Sequence, residues 1–304
     1  MRLVILADAN STIGAGHVMR CAALAEAWIE QCLGAVAHAG VVSIPFAARR
    51  LESLGIAKTD NWETDSVGGI LVVDSYDEQV RHAARARPGR FTVLVDDVGP
   101  VVEQYDAIWN PNAYSSAHLY PQFVGTLIAQ RVPIRRELPG WSGTSSDIAL
   151  SLGGGLPAAW IVRAIDQWAA SHSVRIVTAR ASWVPNHWCA VDSVNPWEAF
   201  SRCASMLTAG GSTVWEASYV GIPTCVMLCA PNQRLICLWA AANGAPLVDI
   251  ALASGSASEL QSLLAEHVPR AALLPRVERA TAEVARALFR AASTMNSANG
   301  AAGL

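Results

Sequence analysis

His17 is the residue on which the chemistry of this chain turns. It closes the run Ile13, Gly14, Ala15, Gly16, His17, which lies between an apolar stretch and a helical pattern. Gly14 and Gly16 allow the backbone to approach a ligand closely, and the helix that follows turns unpaired amides and a positive dipole end toward an anion. An imidazole in that first turn has its charged form disfavoured, so His17 reads as a neutral general base. The plainer reading of the same residues is a tight strand-to-helix turn with a capping histidine, since Gly-x-Gly is common at such junctions.

A second loop of this kind runs through Thr208, Ala209, Gly210, Gly211, Ser212 and Thr213. Two glycines open the turn and two hydroxyls stand beside free helix amides, a natural seat for a diphosphate. Glu216, one turn later, can accept hydrogen bonds from ribose hydroxyls, although Ser212 and Glu216 also lie close to capping-box spacing. Asn232 and Gln233 follow an apolar run and offer uncharged amides to hydroxyls or phosphate oxygens. Asp74, Ser75, Tyr76 and the pair Asp96, Asp97 end two further apolar runs; carboxylates so placed either cap the next helix or reach a ligand on the same rim. Trp183 and Trp188 lie in one loop and could stack on a base or sugar, with His187 between them facing either the ligand or solvent.

Short apolar runs alternating with helix-length segments must position these loops, the pattern of parallel sheets with crossover helices. Strands are predicted at Leu3–Ala7, Gly34–Ala39, Ile70–Val73, Thr92–Val95 and, more weakly, Ala107–Trp109. A second series follows at Ile148–Leu152, Val174–Thr178, Met206–Ala209 and Thr224–Leu228. Predicted helices cover His17–Cys32, Phe46–Leu54, Glu78–Ala86, Ala158–Ala170, Trp197–Arg202, Ser212–Tyr219, Gln233–Asn243 and Ser258–His267, with a last one opened by Pro275 and running to Ala292. Periodicity fails between Pro133 and Ser146. The expected division is therefore a first domain at 1–138 carrying the His17 loop, a linker at 139–146, and a second domain at 147–304 that binds a nucleotide and includes the C-terminal helices. The fold class is α/β, two Rossmann-like doubly wound domains whose strand ends face a shared cleft.

Composition narrows the partners. Apolar residues make up 52% of the 304 and charged ones 15%, and the formal charge is −3, so there is neither the sequence of a disordered chain nor a field that would hold nucleic acid or an anionic membrane. Lys58 is the one lysine and sits in no phosphate-binding motif. The seven cysteines, Cys21, Cys32, Cys189, Cys203, Cys225, Cys229 and Cys237, lack zinc-type spacing and read as buried reduced thiols, so neither metal nor cofactor is expected. No apolar stretch has the form of a secretory signal or a membrane span; Ala217–Gln233 is broken by Gly221, Pro223 and Pro231, and a cytoplasmic location is expected.

The string Ala7, Asp8, Ala9, Asn10, Ser11, then Ile13, Gly14, Ala15, Gly16, His17, Val18, Met19, Arg20, Cys21 resembles the N-terminal signature of the UDP-2,4-diacetamido-2,4,6-trideoxy-β-L-altropyranose hydrolases of pseudaminic acid biosynthesis. Asp74, Ser75, Tyr76 resembles that family's Asp-x-Tyr, and Asp96, Asp97 its Asp-Asp. Residues 209–216, with Gly221, Ile222, Pro223 and then Asn232, Gln233, resemble its nucleotide-binding half, a motif shared with MurG-type glycosyltransferases of the GT-B architecture. The resemblance implies a metal-independent hydrolase that releases UDP from a UDP-sugar by water attack at the anomeric carbon. His17 would activate the water and Tyr76 would stand beside it. Asp8, Gly14, Gly16 and Arg20 would belong to the substrate site, Gly210, Gly211, Ser212, Thr213, Asn232 and Gln233 to the diphosphate site, and Glu216 would bind the ribose. The chain departs from the family pattern at Leu6 and at Gly153–Pro157, where a cationic and an anionic group are missing, and at Ile128–Arg131, where the family's Tyr-x-x-Leu-Arg run is eroded. A glycosyltransferase of the same fold, with an acceptor hydroxyl in place of water, is therefore the alternative, and a nucleotide-sugar-binding subunit without activity a third reading.

Overall fold

The structure is a computed structural model; it describes residues 1–301 apart from 12, 98–103, 116–118, 121, 154–155, 180 and 193–194. The chain forms two units. Met1–Arg136 together with the C-terminal stretch from Glu278 make the first, and Glu137–Val277 the second.

In chain order the first unit holds β1 (Leu3–Ala7), α1 (Gly16–Glu30), β2 (Val36–Ala39), α2 (Pro45–Ser53), β3 (Ala57–Lys58), α3 (Trp62–Asp65), β4 (Ile70–Asp74), α4 (Glu78–Ala84), β5 (Phe91–Val95), β6 (Ala107–Trp109) and β7 (Thr126–Ile128). The second holds β8 (Ile148–Ser151), α5 (Ala159–Ser171), β9 (Ile176–Ala179), β10 (Cys189–Val191), α6 (Trp197–Phe200), β11 (Ser205–Ala209), α7 (Thr213–Val220), β12 (Thr224–Leu228), α8 (Arg234–Ala242), β13 (Leu247–Asp249) and α9 (Ala257–His267); α10 (Thr281–Ala301) ends the chain in the first unit. The sheets run β3-β2-β1-β4-β5-β6-β7 and β10-β9-β8-β11-β12-β13, and each strand pairing is parallel. Both orders reverse next to the first strand of the unit, as in the doubly wound nucleotide-binding fold, and ligands of such sheets collect at that reversal.

The central strands are legible because they are buried on both faces. β1, β4 and β5 are buried at every position, which a parallel sheet covered on two sides requires. The strands not predicted are β3, β7, β10 and β13, and these are the four sheet edges. An edge strand is covered less completely and carries no continuous apolar run; both residues of β3 are exposed, and β10 is half-buried throughout.

Two expectations about the domains are corrected. The last helix does not join the second domain: Val284, Ala285, Leu288 and Ala292 of α10 are fully buried in the core that holds Leu3, Ile5, Val18, Leu24 and Trp28. It starts at Thr281 rather than Pro275, because Ser218 accepts from the Val277 amide and donates to the Pro275 carbonyl, holding that segment extended on the second unit. The supposed linker is likewise bound to the second unit. Trp141 donates its amide to Val220 and its indole to Cys203, and Ser142 and Ser145 pair with Ser201 and Arg202. Among the described residues no helix is long and apolar enough to cross a membrane.

Candidate functional site

In the first unit the His17 loop joins β1 to α1, and its fold is local. Gly14 has a φ of 77°, which an L side chain adopts only at a cost, and its amide donates to the Asn10 carbonyl; the Asn10 side chain accepts from the Ile13 amide. Gly16 opens α1 with free space around it, and His17 follows in the first turn. The strand-order reversal between β1 and β4 then brings the end of β4 against this turn. His17 Nδ1 lies 2.9 Å from Asp74 Oδ1 and donates also to the Asp74 carbonyl at 3.0 Å. Both of these contacts use Nδ1; among the described residues Nε2 has no hydrogen-bond partner. The Tyr76 ring meets the imidazole edge-on, with centroids 4.6 Å apart and planes at 84°.

Arg20, one turn after His17, links this pair to a second carboxylate. It grips Asp74 through Nε and Nη2, at 2.6 and 2.7 Å, and donates from Nη1 to Asp97 at 3.0 Å. The Tyr76 hydroxyl donates to both oxygens of Asp97, at 3.1 and 3.2 Å. Behind them, Tyr120 donates to Asp96 and accepts from Asn110. Asp74 is 1% exposed, yet Arg20 and His17 hold its carboxyl well below the usual carboxylate range against the opposing effect of burial. Burial of His17 disfavours the imidazolium, but the charge and hydrogen bonds of Asp74 outweigh it and raise the imidazole above its ordinary value. The Tyr76 phenol is pushed up to about 12 by desolvation and by Asp97, so it stays a neutral donor.

These facts revise the expectation of a neutral imidazole held by a helix end alone. Asp74 is the stronger influence, and its effect has the opposite sign. Arg20, expected to meet the ligand, has Nε, Nη1 and Nη2 taken up by carboxylates. Asp8 accepts from the Val41 amide at 2.6 Å and braces the turn after β2, where Gly40 leaves no room for a Cβ; its carboxylate is not the partner of His17. The sequence offered a signal for the dyad: an aspartate closing the strand beside β1 in a doubly wound order.

In the second unit the loop 210–213 joins β11 to α7, at the corresponding reversal beside β8. A Cβ on Gly210 would fall 2.4 Å from Cys237 Sγ and 2.9 Å from the Gln233 carbonyl, so this glycine admits the start of α8; Gly211 has open space. Ser212 makes no side-chain cap for α7, which removes the capping-box reading, and Thr213 stands 3.5 Å from the Ser151 hydroxyl. The amides of Val214 and Trp215 already donate to the Gly211 and Ser212 carbonyls, so among the described residues the amides left without an acceptor at this helix start are those of Ser212 and Thr213. Glu216 is half-buried on the first turn, and Asn232 is exposed at the mouth of the next loop. Gln233 is corrected to a structural part: its Oε1 accepts from the amides of Cys229 and Ala230 and fixes the turn after β12. Trp188 and Trp183 do not form a stacking platform. Trp188 is buried, donates to Asp166 on α5 and meets Trp183 edge-on, while His187 bonds the same carboxylate. Gly154 and Gly155 lie outside the described residues. Of the cysteines, Cys32 is exposed and Cys189 and Cys229 half-buried, against the expectation of seven buried thiols.

No protein-family model matches the sequence, and no curated protein does. Solved structures match over nearly the whole chain. The spinosyn rhamnosyltransferase SpnG complexed with thymidine diphosphate is 14% identical with a TM-score of 0.56, covering 97% of this chain and 96% of that one. MurG of Acinetobacter baumannii is 13% identical with a TM-score of 0.57, covering 95% and 99%. The UDP-GlcNAc 2-epimerase of Methanocaldococcus jannaschii is 11% identical with a TM-score of 0.54, covering 95% and 100%. At these identities the likeness shows the fold: two doubly wound α/β units, the GT-B architecture.

Proposed function

We propose that this chain is an enzyme that hydrolyses a UDP-activated sugar at its anomeric carbon and releases UDP. The observation that carries this reading is the His17–Asp74 pair at the reversal point of the first sheet. Asp74 holds the Nδ1–H tautomer, and Nε2 is the lone pair left to take a proton. In the step so assigned, a water oxygen attacks C1 and its proton passes to His17 Nε2. The bond from C1 to the diphosphate oxygen breaks, its electron pair leaving with UDP. Tyr76 spends its hydroxyl proton on Asp97, so its oxygen beside the ring is an acceptor that suits a sugar hydroxyl or the attacking water.

The second unit supplies the nucleotide seat. The hydroxyls and backbone amides of Ser212 and Thr213 would hold the diphosphate and stabilise the charge that develops on departing UDP. Gly211 leaves the backbone there accessible, Asn232 is exposed toward solvent and would reach phosphate oxygens, and Glu216, half-buried one turn into α7, would accept from the ribose. Solved structures of similar fold support a nucleotide-sugar substrate: one holds thymidine diphosphate, and another is a UDP-GlcNAc 2-epimerase.

A glycosyltransferase is the second reading, favoured by SpnG and MurG, and it keeps every role above with an acceptor hydroxyl in place of water. Incubation with UDP-sugars, the diacetamido-trideoxy sugar among them, in isotopically labelled water separates the two. Hydrolysis puts the label on the sugar C1 hydroxyl and none on UDP. UDP release that waits for an added acceptor selects transfer, and no release under either condition rejects both.

A further inference from the structure

Arg20 sits three residues after His17 on α1, so the two side chains leave the same helix face. Among the described residues it is the one that hydrogen-bonds both carboxylates of the cluster, Asp74 and Asp97. Its planar fork holds Asp74, which holds His17, and its remaining arm holds Asp97, which holds Tyr76. The Arg20 side chain is 10% exposed, so this is an enclosed arrangement and not a surface ion pair.

We propose that Arg20 is a positioning residue that locks the Asp74 carboxylate so that His17 can donate only from Nδ1, and that fixes Tyr76 through Asp97 at the same time. The proposal rests on His17 being the base assigned above. Its physical basis is geometric. A carboxylate held by two parallel N–H bonds cannot turn about its own axis, and Asp74 Oδ1 is shared between Arg20 Nη2 and His17 Nδ1. The Asp74 carbonyl takes a second contact from the same ring nitrogen, so the ring cannot flip without losing both.

The charge of Arg20 also matters. Asp74 beside the ring favours the imidazolium, which is the wrong form for a base, and the guanidinium opposes that effect. The groups facing the ring are Asp74 from the end of β4, Tyr76 from the loop after it, and Arg20 from α1. Cys21 of α1 lies against Asp74 as a neutral thiol, pushed up by burial. Asp97, after β5, reaches the ring only through Arg20 and Tyr76, and the Tyr114 hydroxyl donates to the Asp97 carbonyl.

The test is an NMR titration of the His17 ring nitrogens in the full chain without substrate, the signals identified by their loss in His17→Gln. Arg20→Gln is expected to raise the His17 midpoint by about one pH unit or more and to weaken the Nδ1–H signature. Arg20→Lys, which keeps the charge but not the fork, should leave the midpoint within about half a unit of wild type while the Nδ1–H signature weakens as in Arg20→Gln. An Arg20→Gln protein that folds with an unmoved midpoint and an unchanged tautomer overturns the proposal, as does Arg20→Lys shifting as far as Arg20→Gln. Should Arg20→Gln fail to fold, Asp97→Asn decides: freeing Arg20 from one carboxylate must lower the His17 midpoint, and an unmoved midpoint overturns the proposal. Because the readout needs no substrate, its failure is distinct from a failure of the UDP-sugar assignment, which product analysis tests.

Discussion

The Asp74 carboxylate stands 2.9 Å from His17 Nδ1, joining the end of β4 to the first turn of α1 across 57 residues of sequence. Nothing local brings them together. The pairing follows from β4 lying beside β1, which is the reversal in strand order that marks ligand sites in this class of sheet.

Removing the ring should therefore remove the base and leave the fold. His17→Gln is expected to lower kcat for UDP release by about 10²–10⁴ with an unchanged circular dichroism spectrum. Asp74→Asn should differ. It releases the ring and leaves the Arg20 charge less compensated, so both activity and stability should fall, the latter by up to about 3–5 kcal/mol in urea denaturation.

The pH dependence has a definite direction. A base acts in its neutral form, so kcat/KM should rise with pH to a plateau whose midpoint lies above the ordinary histidine value of 6.5. Stability runs the other way for this group. Its folded value is raised, so its contribution is complete below 6.5 and fades as pH climbs through the folded value. Asp74 is lowered, so its contribution is complete above the ordinary 3.8 and is lost as pH falls from there toward its folded value. Rate profiles and thermal melts across pH read both effects; an activity midpoint at or below 6.5 would mean that the dyad does not control the base.

The two glycines of the second unit's loop should respond differently to one added carbon. Gly210→Ala drives a Cβ into Cys237 Sγ and the Gln233 carbonyl and should cost about 1–3 kcal/mol of stability. Gly211→Ala meets nothing and should fold normally. Weaker UDP binding by Gly211→Ala, measured by calorimetry, would mark that backbone as part of the diphosphate seat.

Leu288 of α10 is fully buried among side chains of the first unit. Leu288→Ala should cost about 2–5 kcal/mol, and hydrogen exchange should show the loss in β1 and α1 rather than in β11 and β12. An effect confined to the second unit would contradict the way the chain returns.

What the sequence displayed and what it concealed divide along burial. Central strands such as Ile70–Asp74 are apolar at nearly every position because both faces are covered, and they can be read directly. Edge strands such as Ala57–Lys58 have no such requirement. In the site, His17 and the two glycine loops were visible as local motifs, whereas the partners of His17, Arg20 and Tyr76 depend on strand order, which no short window contains. The docking of α10 was hidden for the same reason. Its apolar positions specify a buried face without saying which core receives it.

Because the first unit is assembled from residues 1–136 and the stretch from Glu278, the backbone passes between the units twice, after Arg136 and after Val277. A single proteolytic nick at the earlier crossing would therefore not yield two separable lobes. The amino-terminal fragment would keep its grip on the far tail of the other piece, and the two would co-purify as a complemented pair until denaturant pulled that last helix out of its socket.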